Sequence, residues 1–183
     1  MRVLAALSLA SALAGQAPGD VDGQFDVPDG LTVTLWAESP HLFNPTAMDI
    51  DERGRIWVTE GVNYRQWNGR NPGRKHPEGD RIVILEDRDG DGRCDHSQVF
   101  VQDVELRAPL GITVLGKHVL VASSPTMFLF TDDDGDGRAD RKEKWLDGFG
   151  GFDHDHGVHS VVAGDDGWLY IAAGNAGPHI VTG

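Results

Sequence analysis

The chain has 183 residues, with 16 lysines and arginines against 29 acidic residues, giving a formal charge of −13. That balance argues against nucleic-acid binding, which needs clustered cations to neutralise phosphates; the longest basic run is only Arg74-Lys75-His76. The single cysteine, Cys94, excludes an internal disulfide framework and any multi-cysteine zinc or iron–sulfur site.

Residues 1–17 are expected to be a secretory signal peptide. Arg2 supplies the positive charge, residues 3–14 are apolar and small, and Ala12-Leu13-Ala14 offers a small-x-small cleavage site. The run is too short to span a bilayer, which takes about 20 apolar residues. The expected localisation is therefore periplasmic or extracellular. No other segment is apolar enough for a membrane span.

From Phe25 onward, short apolar or alternating runs recur between glycine and aspartate clusters, and the 24 glycines and 9 prolines favour turns over long helices. The predicted class is all-β. Residues 47–59, 111–122 and 160–172 share one design: strand, tight turn carrying Gly54, Gly116 or Gly167, strand. This spacing fits blades of a β-propeller with variable loops better than a sandwich of uniform hairpins. Residues 18–183 are enough for about three blades, so the expectation is the N-terminal part of a larger propeller, six-bladed when complete. Such an open piece exposes sheet edges and is expected to be poorly soluble by itself. Residues 61–79 form a long polar insertion of the kind that is often functional.

Two loops stand out between these hairpins. Asp87, Asp89, Asp91 and Gly92, and again Asp132, Asp134, Asp136 and Gly137, place carboxylates at positions 1, 3 and 5 and a glycine at 6, the arrangement of an EF-hand-type calcium loop. Position 9 is Asp95 and Asp140; position 12 is Gln98 in the first and Glu143 in the second, which predicts the second as the stronger site. Strands on either side make these structural calcium loops, not EF-hand domains. A solvated acidic turn is the bland alternative. The two loops carry six of the thirteen net negative charges, so the acidity of the chain is largely local.

Residues 150–159 hold the densest set of reactive groups: Asp153, His154, Asp155, His156 and His159. They fit a general base with an orienting carboxylate, a zinc site built from His154, His156 and His159, or a polar surface loop.

Asp155-His156, residues 161–166, Leu169-Tyr170, Gly174 and Gly177 together resemble the catalytic-histidine blade of the PQQ-dependent soluble sugar dehydrogenases. The strand from Arg55 to Glu60 resembles that family's Trp-x-Thr-Glu strand. The paired aspartate loops, the Phe25, Pro28, Gly30, Leu31 opening and the segment from His156 to Ser160 are closer still to a related family of bacterial membrane-bound dehydrogenase propellers. The resemblance implies His156 as the base that removes a hydroxyl proton from a sugar or other alcohol, with Asp155 or Asp153 orienting it. It also implies PQQ as hydride acceptor, calcium, and an electron acceptor such as a cytochrome, with a haem c domain possible downstream. Two departures are visible: the family's histidine-polarising aspartate falls at Asn175, and nothing near residues 107–111 matches its cofactor-contacting glutamine. The rival expectations are a non-redox carbohydrate- or protein-binding propeller and a calcium-dependent lactonase-like propeller.

Overall fold

A computed structural model describes residues 4–9, 25–64, 73–151 and 156–183, the first of these segments by its backbone alone. Every regular element among the described residues is a strand, as the alternation predicts. In chain order they are β1 (Leu4–Leu9), β2 (Leu31–Ala37), β3 (Pro45–Ile50), β4 (Ile56–Glu60), β5 (Asp80–Glu86), β6 (His96–Asp103), β7 (Gly111–Leu115), β8 (His118–Ser123), β9 (Thr126–Thr131), β10 (Arg141–Asp147), β11 (Val158–Ala163) and β12 (Leu169–Ala173). They form two four-stranded antiparallel meanders, β3 to β6 and β7 to β10, and two-stranded sheets β1-β2 and β11-β12. β1 lies inside the expected leader and pairs with β2; the expected cleavage site falls outside the described residues.

Each predicted hairpin is present. β3-β4, β7-β8 and β11-β12 close through Gly54, Gly116 and Gly167, whose φ values of 78°, 59° and 83° put them in the left-handed region that a side chain disfavours.

The sheets stack face to face, and strand alternation sends successive residues into different cores. Trp57, Ile82, Ile84 and Phe100 meet Val119, Val121, Phe128 and Phe130 in the core between the two meanders. The intervening residues Ile56, Val58, Val83 and Leu85 face the other way, onto Ala37 and Leu42. Leu120, Ala122 and Met127 likewise turn from the central core towards Val158 and Val161 of β11. Both faces of β4, β5, β8 and β9 are thus covered, which is why these strands read as unbroken apolar runs and not as half-polar ones. Each fully buried side chain of this kind contributes about 2 kcal/mol relative to exposure. Trp57 and Phe100 add an edge-to-face contact at 4.8 Å.

The first strands of neighbouring sheets run side by side in the same direction. The Thr46 hydroxyl donates to the Pro109 carbonyl near the start of β3 and β7. Near their ends, the Val114 N–H donates to Asp49 Oδ2 at 2.7 Å. The Thr113 hydroxyl bonds the Val161 carbonyl, tying β7 to β11. Because every sheet is an up-and-down meander, the connections sort into two ends. Residues 51–55, 87–95, 116–117, 132–140 and 164–168 lie at one end, and residues 61–64, 73–79, 104–110, 124–125, 148–151, 156–157 and 174–180 at the other. The aspartate loops and His156 are therefore at opposite ends of the strands.

Candidate functional site

His156 immediately precedes β11, and main-chain bonds fix it to the loop that leaves β12. Its carbonyl accepts the Ala176 N–H at 3.0 Å, and the Gly157 carbonyl accepts the Gly174 N–H at 2.6 Å. Gly174 is what allows this approach, because a Cβ there would collide with the His156 carbonyl. Between these two anchors the imidazole Nδ1–H donates to Asn175 Oδ1 at 2.5 Å. An amide oxygen only accepts, so this bond assigns the proton to Nδ1 and the lone pair to Nε2. Asn175 thus orients the ring from the loop after β12. Asp155, with Asp153 and His154, lies outside the described residues.

His159 is on β11, half-buried and away from the turn. Among the described residues no histidine belongs to a cluster with metal-ligand geometry. His179, which no spacing singled out, supports the site from below: its Nδ1 accepts the Gly150 N–H at 3.0 Å and its Nε2–H donates to the Gly174 carbonyl at 2.9 Å. A cleft of about 400 Å³ opens beside this segment, lined by Arg107, Ser123, Ser124, Thr126, Phe128 and Lys144. Its hydroxyls serve the fold. Ser124 Oγ accepts the Val158 N–H at 2.6 Å, Ser123 Oγ bonds both the N–H and the carbonyl of Arg107, and Thr126 donates to Asp147.

At the other end the two aspartate loops are copies of one conformation. Asp87 accepts the N–H groups of Gly90 and Gly92 at 2.8 and 2.9 Å, and Asp132 those of Gly135 and Gly137 at 2.7 and 3.0 Å. Carboxylates of Asp87, Asp89 and Asp95, and of Asp132, Asp134 and Asp136, converge with oxygens within 4.8 Å of one another. Asp91 and Asp140 are outside these groups: Asp91 accepts the Arg93 N–H and Asp140 that of Asp133.

Glu143, the expected twelfth ligand, is also outside; it lies on β10 opposite Leu129, 3.9 Å from Arg141. A strand advances about 3.3 Å per residue where a helix advances about 1.5 Å, so three residues of β10 carry Glu143 away from the loop that a helix would have kept it beside. Gln98, at the same position of the first loop, reaches the second: its Nε2 donates to the carbonyls of Asp136 and Gly137 at 2.9 and 3.0 Å. Asp133 points outward, where hydrogen bonds and charge from Arg141 and Lys117 hold its carboxyl down at about 2.

The family model of a domain of unknown function, DUF7133, matches residues 18–183. The chain belongs to the DUF7133 family. No curated protein matches it. This DUF7133 chain presents an oriented histidine at one end of its strands and paired acidic loops at the other. A third polar cluster escaped the sequence reading. Glu60 is fully buried and bound by both Nε and Nη2 of Arg81 at 2.7 and 3.0 Å, with the Phe43 N–H on the same carboxylate. The Trp-x-Thr-Glu strand contains Glu60, but its partner Arg81 is 21 residues away and nothing in the local pattern pairs them.

Proposed function

We propose that this chain is part of an exported β-propeller dehydrogenase in which His156 is the general base that takes the hydroxyl proton of a sugar or other alcohol. The observation that carries the reading is the His156 Nδ1 to Asn175 Oδ1 bond, which orients the ring and places the proton of the neutral imidazole on Nδ1. The propeller is supported by stacked four-stranded meanders whose first strands lie side by side, and by apolar residues exposed on β3 (Met48 and Ile50) and on β11-β12 (Val162 and Tyr170). These faces suit further sheets in the same stack.

A bound quinone of the PQQ type would supply the hydride acceptor. The residues described here fit the proton-transfer half of that chemistry; they do not assemble a set of cations to match the quinone's carboxylates, and no cofactor-holding residue is assigned. His156 would take the hydroxyl proton of the alcohol, and the amide of Asn175 keeps the imidazole in register. Being neutral, Asn175 orients the ring without stabilising the imidazolium as a carboxylate would.

We also infer that the two aspartate loops hold calcium-class cations and act structurally. Each gathers three carboxylates, and hard cations prefer such oxygen donors.

The test is dye reduction by the intact protein reconstituted with PQQ and calcium, over a panel of sugars and alcohols. His156→Ala should lower kcat by at least about 100-fold, the usual scale for removing a general base. Asn175→Asp should keep activity and move the acid limb of the pH–rate profile to higher pH, because a carboxylate favours the imidazolium. Full activity in His156→Ala overturns the assignment. Saccharide binding by wild-type protein without any dye reduction favours the non-redox binding propeller.

A further inference from the structure

The cluster around Glu60 contains a histidine that the proposed chemistry does not use. His76 is 9% exposed, and its Nδ1 is buried with no hydrogen-bond partner among the described residues. Its main chain is held firmly: Asn63 Oδ1 accepts its N–H at 2.9 Å, Asn63 Nδ2 donates to its carbonyl at 2.7 Å, and the Gly79 N–H reaches the same carbonyl at 3.0 Å. The Asn63 N–H donates to Asp80 Oδ1, so one asparagine ties residues 73–79 to the start of β5. The Phe43 ring meets the imidazole edge-on at 6.4 Å, and the Arg74 guanidinium lies 3.9 Å over that ring.

Among the described residues, the charged groups that act on His76 are Arg81 on β5, Glu60 on β4, and Arg74 and Glu78 on its own segment. Glu60 is already neutralised, since Arg81 occupies both of its oxygens. A second proton on His76 would therefore be buried among guanidinium groups, with Glu60 already paired to Arg81 and only the exposed Glu78 otherwise opposing them.

We propose that His76 is a pH-sensitive latch: as the neutral imidazole it lets residues 73–79 dock on the end of β4 and β5, and on protonation it releases them. Unpaired buried charge is the most costly group to keep in a protein interior, whereas undocking one short segment gives up only local contacts. Burial first, and then the Arg81 charge, hold the imidazole pKa below its ordinary 6.5. A folded-state value below the unfolded one means that docking is fully stable above about 6.5 and is lost as pH falls below it. The latch is independent of the role proposed for His156, so either can fail without the other.

Hydrogen exchange on the intact protein between pH 7.5 and 5.5, corrected for intrinsic rates, tests this. Protection of the His76 and Gly79 amides should fall by up to about tenfold, the limit set by one pH unit below the free imidazole value. Amides of β8 and β9 should not change. His76→Gln, which cannot titrate, should leave the 73–79 amides flat across the range. Should that variant fail to fold, the imidazole C–H resonances of wild-type His76 give the same answer, with a midpoint below 6.5 that tracks the amides. Unchanged protection in wild type, an equal fall in His76→Gln, or loss of protection in β8 and β9 together with 73–79 would each overturn the proposal.

Discussion

Replacing Asp51 with alanine removes one carboxylate that satisfies four donors at the aspartate-loop end. Oδ1 accepts the N–H groups of Arg53 and Arg55, both at 2.9 Å, and Oδ2 accepts Arg55 Nε at 2.7 Å and Trp57 Nε1 at 2.9 Å. The Trp57 ring is 2% exposed, so its indole N–H would be left buried without an acceptor, costing about 1–3 kcal/mol. The two turn amides can turn to water and cost roughly 0.5 kcal/mol each. The partly exposed Arg55 pair contributes at most about 0.5 kcal/mol. The total is about 3 kcal/mol, which lowers the urea midpoint by about 1.5 M for a slope of about 2 kcal/mol/M.

Urea unfolding of the intact protein, followed by tryptophan fluorescence, reads this directly. Asp51→Asn keeps an acceptor for the indole and should lose only about 1 kcal/mol. The effect should also depend on pH in one direction. Burial raises the Asp51 pKa, but hydrogen bonds from Trp57 and Arg55 more than offset it, so the value lies below 3.8. The wild-type advantage over Asp51→Ala is therefore complete well above pH 3.8 and shrinks as pH falls below it. An Asp51→Ala midpoint within about 0.2 M of wild type, or an Asp51→Asn variant as damaged as Asp51→Ala, would refute the claim that the indole acceptor dominates.

Gly79→Ala should cost about 3 kcal/mol or more, because φ is +102° and the new Cβ would collide with the Asp103 carbonyl; Gly116→Ala, at φ +59° in open space, should cost only about 1 kcal/mol, both read by thermal unfolding. Equal costs would disprove the role given to the Asp103 contact. Calcium at about 100 times its Kd should stabilise the protein by about 2.7 kcal/mol per occupied site, and chelator should reverse it. Asp87→Asn and Asp132→Asn should each remove one equivalent in titration calorimetry, and a wild-type protein that binds no calcium at millimolar concentration would end the cation assignment.

The elements themselves were legible in the chain. Alternation, β-branched content and the positive-φ glycines at 54, 116 and 167 are local properties, and local backbone preference is enough to place a strand or a tight turn. The aspartate loops were legible for the same reason, since Asp87 and Asp132 fold onto glycines three and five residues away. Whatever depended on distant partners was not. Glu60 finds Arg81 and Gln98 finds Gly137 only once sheet register is set, and the exit of a strand in place of a helix is what takes Glu143 out of its loop. Nothing in the Arg74-Lys75-His76 run distinguishes a solvated basic turn from a buried imidazole.

The sequence by itself determined an all-β chain with two acidic loops and a histidine-rich turn, because composition, alternation and short-range hydrogen bonding act within a few residues. Only the tertiary structure decided that the acidic loops and His156 occupy opposite ends, that Asn175 hydrogen-bonds the His156 imidazole, and that His76 is buried. Those outcomes follow from the up-and-down strand order and the face-to-face stacking of the sheets, which join residues far apart in the chain and leave no short-range trace.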